Sequence, residues 1–213
     1  MPRQLPAGPP RAALRGGALM GWWLKVRRAH TQLLGAYFLF AVMTVLLQGV
    51  VADLPFPFPD GGLVVGTLPA PVPLCAALLL SLETRPGAAE ETGIRPVRAL
   101  DAGLTLALVG AATLTGLAIG AVTASPSALA VGRNTAFLTG LVLCARPLMG
   151  ALAVLVPVGW LLAVTLLGFR QGMPRAWSVL PRPNDDPLAL WAAALVLGAG
   201  LALLLTVRPR TRP

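Results

Sequence analysis

Apolar residues in this chain come in long runs, and charged residues cluster between them. The first uncharged run extends from about Thr31 to Ala52. A helix rises 1.5 Å per residue, so about 20 residues cross the roughly 30 Å hydrocarbon core of a bilayer. The run ends at Asp53-Leu-Pro-Phe-Pro-Phe-Pro-Asp60-Gly-Gly, where alternate prolines stop a helix. A second run, about Leu63 to Leu82, contains Pro69, Pro71 and Pro73, and only Leu74–Leu82 reads as clean helix. Residues 66–73 are expected as a bent entry or as part of a substrate path. The third run, about Ala102 to Ala124, carries Gly116 and Gly120 in a GxxxG spacing that lets another helix approach closely.

The fourth run extends from Asn134 to Phe169 and is apolar except for Arg146. One helix of that length would measure about 54 Å, well beyond a bilayer. It would also hold Arg146 near the membrane centre, at a cost of roughly 2.5 kcal/mol or more. Two helices, Thr135–Ala145 and Leu148–Gly168, with a tight turn at Arg146-Pro147, remove both problems. The last run is Leu188 to Val207. The pattern predicts an all-α polytopic membrane protein with six transmembrane helices and both termini cytoplasmic, five being the alternative.

Composition agrees. Hydrophobic residues make up 56% and charged residues 12%, against roughly 45–50% and about 25% in soluble domains. An ordinary soluble domain is excluded, and so is intrinsic disorder of the whole chain, which requires low hydrophobicity. The net charge of +9 reads as a positive-inside bias rather than a nucleic-acid surface, because the basic residues flank the apolar runs. Six spans leave Arg133, Arg170, Arg175 and Arg182 outside. Five spans place Arg133 and the three tail arginines outside and bury Arg146. The charge count hardly separates the two; Arg146 and the length of its run favour six.

Residues 1–19 read as a disordered basic tail, 20–207 as the transmembrane domain and 208–213 as a second basic tail. The chain starts at Met1 or Met20; no apolar centre or cleavage site marks a signal peptide. Trp22 and Trp23 beside Lys25, Arg27 and Arg28 suit an interfacial helix. Cys75 and Cys144 lie within apolar runs and read as packing residues. Residues Glu83 to Asp101 are the most charged internal stretch, either a solvated connector or a short docking helix with Glu91 and Arg95 paired.

Catalytic motifs are missing. His30 is the one histidine, and neither GxSxG, HExxH nor GxxxxGK[ST] occurs. No catalytic, cofactor-binding or metal-binding residue is assigned, and no cofactor is expected. Acidic residues are absent from the runs, which disfavours a proton-coupled carrier.

Taken together, the interfacial GWWLKVRRAH, the charged connector from Glu83 through Pro96-Val97-Arg98, the Arg146-Pro147 turn and the Trp177-containing connector before the last run resemble the membrane subunit of ABC-2-type exporters. The resemblance spans roughly residues 20–207; Pro69, Pro71 and Pro73 depart from it. It implies a permease subunit in a bacterial plasma membrane, paired with a separate ATP-binding subunit, as a homodimer or heterodimer. It also implies an ATPase-docking helix with Glu90, Glu91, Arg95 and Arg98 as contacts. The other expectation is a non-transporting integral membrane protein: an immunity, scaffold or assembly factor.

Overall fold

The computed structural model describes residues 29–53, 63–83, 97–170 and 173–207. Helix α1 spans Ala29–Leu46. It ends before Gly49, whose φ of 68° is a left-handed conformation that suits glycine. Val50 and Val51 favour extended backbone, and strand β1, Val51–Asp53, pairs antiparallel with β2, Leu63–Val65. The expectation of helix as far as Ala52, and again from Leu63, is therefore corrected. Turns fill residues 66–71, with the Ala70 amide donating to Thr67 and the Val72 amide to Pro69. Helix α2 is Val72–Glu83. Pro73 falls in its first turn, where a missing N–H costs no helical bond.

Helix α3, Val97–Thr123, and helix α4, Pro126–Met149, are joined by two residues. Ala124 takes φ 51°, the Ser125 amide donates back to Gly120, and Ser125 Oγ accepts from the Ala128 amide at 3.5 Å. Pro126 at the first helical position suits the start of α4. The expected start at Thr135 is thus too late by more than two turns.

The turn expected at Arg146-Pro147 is also displaced. Pro147 lies in the last turn of α4, and the chain reverses at Gly150, with φ 58° and ψ −131°. A 3₁₀ segment, Gly150–Val154, leads into helix α5, Leu155–Leu167. The reversal is plain from the rings of Phe137 and Trp160. Their centroids lie 5.4 Å apart, whereas a straight helix would separate the two residues by about 34 Å. A minimal ribbon, β3 (Phe169–Arg170) with β4 (Met173–Pro174), follows α5. Helix α6, Pro187–Thr206, is capped by Asp186, which accepts from the Leu188 amide at 2.9 Å.

Contacts fix the direction of each helix. Leu33 packs with Ala77, and Phe40 with Leu74 and Ala70, so α1 and α2 are antiparallel. Thr123 donates to Gln48 and Tyr37 to the Ala111 carbonyl, so α3 runs with α1. Arg146 reaches Glu83, and Arg98 reaches the Leu205 carbonyl. Among the described residues, six helices therefore alternate in direction. One end, called proximal here, gathers Ala29, Glu83, Arg98, Arg146 and Thr206. The distal end gathers the β1–β2 ribbon, the Ala124 turn and residues 168–186.

Helix α4 is the packing centre. A Cβ on Gly116 of α3 would lie 2.8 Å from the Ala128 carbonyl oxygen, and one on Gly132 would lie 2.6 Å from Thr113 Cα. On the opposite flank, a Cβ on Gly140 would lie 2.6 Å from the Leu197 amide of α6. The GxxxG face of α3 is thus packed, as small residues at that spacing predict.

Three helical stretches are long and apolar enough to cross a membrane: Arg98–Thr123, Pro126–Leu167 and Pro187–Thr206, the second of them folded back on itself. Thr31–Leu46 and Val72–Glu83 are shorter apolar helices. Only 17% to 28% of the apolar windows in the three long stretches is buried. Phe38, Leu114, Val122, Leu148, Trp191 and Leu195 are exposed. Among the described residues helix predominates, the rest being the two short ribbons and irregular backbone, chiefly residues 66–71 and 175–186.

Candidate functional site

Polar chemistry concentrates at the two ends of the bundle. At the distal end, the segment from Ser178 to Pro187 contains Pro181, Pro183 and Pro187. A residue before proline is disfavoured in helix, so the carbonyls of Leu180 and Arg182 are left without a helical partner. Arg133, two turns into α4, supplies the donors. Its Nη1 donates to the Pro183 carbonyl at 2.6 Å, and its Nη2 to those of Arg182 and Leu180 at 2.8 and 3.1 Å. Its Nε donates to Asn134 Oδ1 at 3.3 Å, and Asn134 Nδ2 donates to the Leu180 carbonyl at 3.2 Å. The planar five-donor fork of arginine suits this divergent set of acceptors.

Arg182 forms an ion pair with Asp186, the α6 cap. The hydrogen bond from Arg182, and then the amide of Leu188, hold the Asp186 carboxyl below its ordinary value. The Nε of Arg182 is buried with no hydrogen-bond partner. Between this segment, the turn at Thr67 and Leu68, and the start of α4 lies a cavity of about 480 Å³. Thr67, Ser127, Asn134, Leu180, Arg182 and Asp185 contribute to its walls. Its size falls within the range of small-molecule sites. Beyond it lies an apolar cluster that includes Leu68, Cys75, Leu79, Phe137, Leu138 and Val142. Trp160 stands between Phe137 and Trp177, the two indoles meeting edge to face at 5.9 Å.

At the proximal end, Arg146 Nε donates to Glu83 Oε1 at 2.7 Å, and its Nη2 to the Leu82 carbonyl at 3.1 Å. The guanidinium thereby ties the last turn of α2 to that of α4. Of the expected docking contacts, Glu90, Glu91 and Arg95 lie outside the described residues. Arg98 is described, and its Nη1 donates to the Leu205 carbonyl at 3.1 Å, where it tethers the end of α6. The 1–19 and 208–213 tails, the Trp22-Trp23 element and the side chain of His30 also lie outside. Cys75 and Cys144 are free thiols. Cys75 is buried against Thr139 at 3.6 Å, and among the described residues no cluster of His, Cys, Asp and Glu gathers for a metal.

Arg133 and Arg182 entered the sequence reading only as charges on the outer side. The available signal was the Ser125-Pro126 pair, which opens a helix early enough to carry Arg133 into the bundle, combined with the alternate prolines at 181 and 183. Set against protein-family models, curated proteins and solved structures, the chain matches none.

Proposed function

We propose that the chain is the membrane-spanning permease subunit of an ABC-type exporter, working with a separate ATP-binding subunit in a bacterial plasma membrane. In this reading it has six spans, both termini are cytoplasmic, and it acts as a homodimer or heterodimer of membrane subunits. The observation that carries the reading is the alternation of six helices. It brings the flanks of residues 84–96, Glu83 and Val97, to the same end as Arg98 and Arg146. The segments leaving that end hold most of the 17 Lys and Arg residues, which matches a cytoplasmic face. The outward-facing Leu, Val, Phe and Trp side chains suit lipid better than water.

Energy for export would come from the partner, since the sequence has no P-loop. Docking would fall to Glu90, Glu91 and Arg95, with Arg98 assisting while it holds Leu205. The test is co-purification of the chain from its native membrane with a nucleotide-binding protein, then the triple variant Glu90→Ala, Glu91→Ala, Arg95→Ala. Arg98 is left intact because its loss would also release α6. The expected result is loss of the partner at unchanged membrane yield. Equal recovery of the partner removes the docking assignment, and absence of any nucleotide-binding partner removes the permease reading.

One observation favours a second reading, a non-transporting membrane protein such as an immunity, scaffold or assembly factor. The distal cavity ends against the apolar cluster around Phe137 and Leu138, and a sealed interior is what such a protein needs.

A further inference from the structure

Residues 178–186 cross the distal end of the bundle as neither helix nor strand. Their own backbone bonds are local: the Ser178 amide donates to the Arg175 carbonyl, the Val179 amide to Trp177 and the Asp186 amide to Pro183. What ties them to the bundle by hydrogen bond is α4. Arg133 donates to the carbonyls of Leu180, Arg182 and Pro183, and Asn134 donates to Leu180 a second time. Below, Val179 and Leu180 are buried in the apolar cluster that also contains Leu68, Cys75, Phe137 and Leu138. Above, Leu180 and Arg182 wall the distal cavity. Leu68 and Leu180 belong to both cluster and cavity wall, so the two regions meet at these side chains.

Arg133 balances this closed arrangement finely. It is only 6% exposed, and the acceptors of its hydrogen bonds are neutral amide and carbonyl oxygens. Asp186 attracts it from the start of α6, but that carboxylate is already bonded to Arg182 and to the Leu188 amide. Taking a charge out of water is costly, and neutral dipoles return only part of the cost. If the segment lifts, five hydrogen bonds and the burial of Val179 and Leu180 are lost, while the guanidinium regains its water. Helix packing stands apart from this balance. Helices α3 and α4 meet at Gly116 and Gly132, and α4 and α6 at Gly140 and Gly200. Those contacts are made by other residues, so the segment can open as a local unit with the helices still packed.

We propose that residues 178–186 are a lid on the distal mouth of the bundle, latched by Arg133, and that its release opens the apolar cluster around Phe137 and Leu138 to the cavity. The lid does not depend on an ATPase partner or on transport. Under the exporter reading it stands at the outer end of the path, and in a non-transporting protein it is the seal of the interior.

The two native thiols report on it. Cys75 is buried in the cluster beneath the lid. Cys144 lies toward the proximal end of α4, beside the Val196 carbonyl of α6. The full chain in a non-ionic detergent is treated with N-ethylmaleimide, and modification of each cysteine is followed by mass spectrometry. Reaction of a buried thiol tracks the population of the open form when reclosing is fast. Arg133→Gln removes charge-assisted hydrogen bonds and should speed modification of Cys75 by about tenfold or more, with Cys144 unchanged. Val179→Ser weakens the lid from its own side with Arg133 intact, and it should act in the same sense. It decides the matter where Arg133→Gln yields no folded protein. A folded variant with no gain at Cys75 overturns the lid. An equal gain at both thiols overturns it too, because Arg133 would then hold the whole bundle together rather than one segment.

Discussion

Gly140 has no room for a methyl group. Its Cβ would meet backbone atoms of Val196 and Leu197 at 2.6 Å, and relief requires α4 and α6 to move apart. Gly120 is also crowded, but the nearest atom to a Cβ there is Leu129 Cδ2, also at 2.6 Å, at the end of a side chain that can rotate. Overpacking costs typically about 1–3 kcal/mol when it cannot be relieved. Gly140→Ala should therefore lower stability by about 2 kcal/mol in detergent, and Gly120→Ala by less than about half of that. Equal melting temperatures for the two variants would contradict the distinction between backbone and side-chain contact. The GxxxG spacing in α3 was legible from sequence because both glycines fall in one uncharged run. Gly132 was not, nor was Arg133, because Ser125-Pro126 reads equally well as a loop or as the first residues of a helix.

At the scale of the element, proline misled and glycine decided. The Arg146-Pro147 pair marks the correct neighbourhood for a reversal, but proline in a last helical turn removes one hydrogen bond without ending the helix. The left-handed φ of Gly150 ends it, a few residues later, and Arg146 stays helical and reaches Glu83. The charge-free runs placed α3 and α6 within about one turn but opened α4 more than two turns late, at Thr135 instead of Pro126, and they missed both ribbons, since two or three consecutive residues leave little periodicity to read. The cavity was invisible for another reason: its walls come from segments far apart in the chain. Cap chemistry adds a pH prediction for α6. The folded-state carboxyl of Asp186 is lowered from its ordinary 3.8 by Arg182 and the Leu188 amide. A depressed acid stabilises the fold above its unfolded value, and that contribution disappears as pH falls through the folded one. The start of α6 should hence loosen as pH drops below 3.8, seen as faster amide exchange at Leu188 and Ala189. Asp186→Asn should remove that pH dependence, and an identical acid response in the variant would assign the loosening to another group.

For the whole molecule, the alternation of six helices is a geometric fact about the bundle, and its placement in a bilayer is the step to be measured. Helix α1 has 18 residues and α2 has 12, about 27 Å and 18 Å long. The second is shorter than the hydrocarbon core, and the turns at 66–71 must complete its crossing within the shelter of the bundle. If all six helices cross, the ends of the chain share a side and residues 168–186 lie on the other. If the stretch Pro126–Leu167 counts as a single crossing, the two ends lie on opposite sides. A reporter active only in the cytoplasm separates these cases: fused after Pro213, and separately inserted after Gly168, it should be active in the first and silent in the second. The reverse pattern means five crossings. It would also require the hairpin at Gly150, held by Phe137 against Trp160, to open in the membrane. That opening would expose the Glu83–Arg146 pair to lipid, at a cost of several kcal/mol for an unpaired charge. The bundle therefore predicts activity after Pro213, with Arg146→Ala loosening the tie between α2 and α4 without inverting the signal.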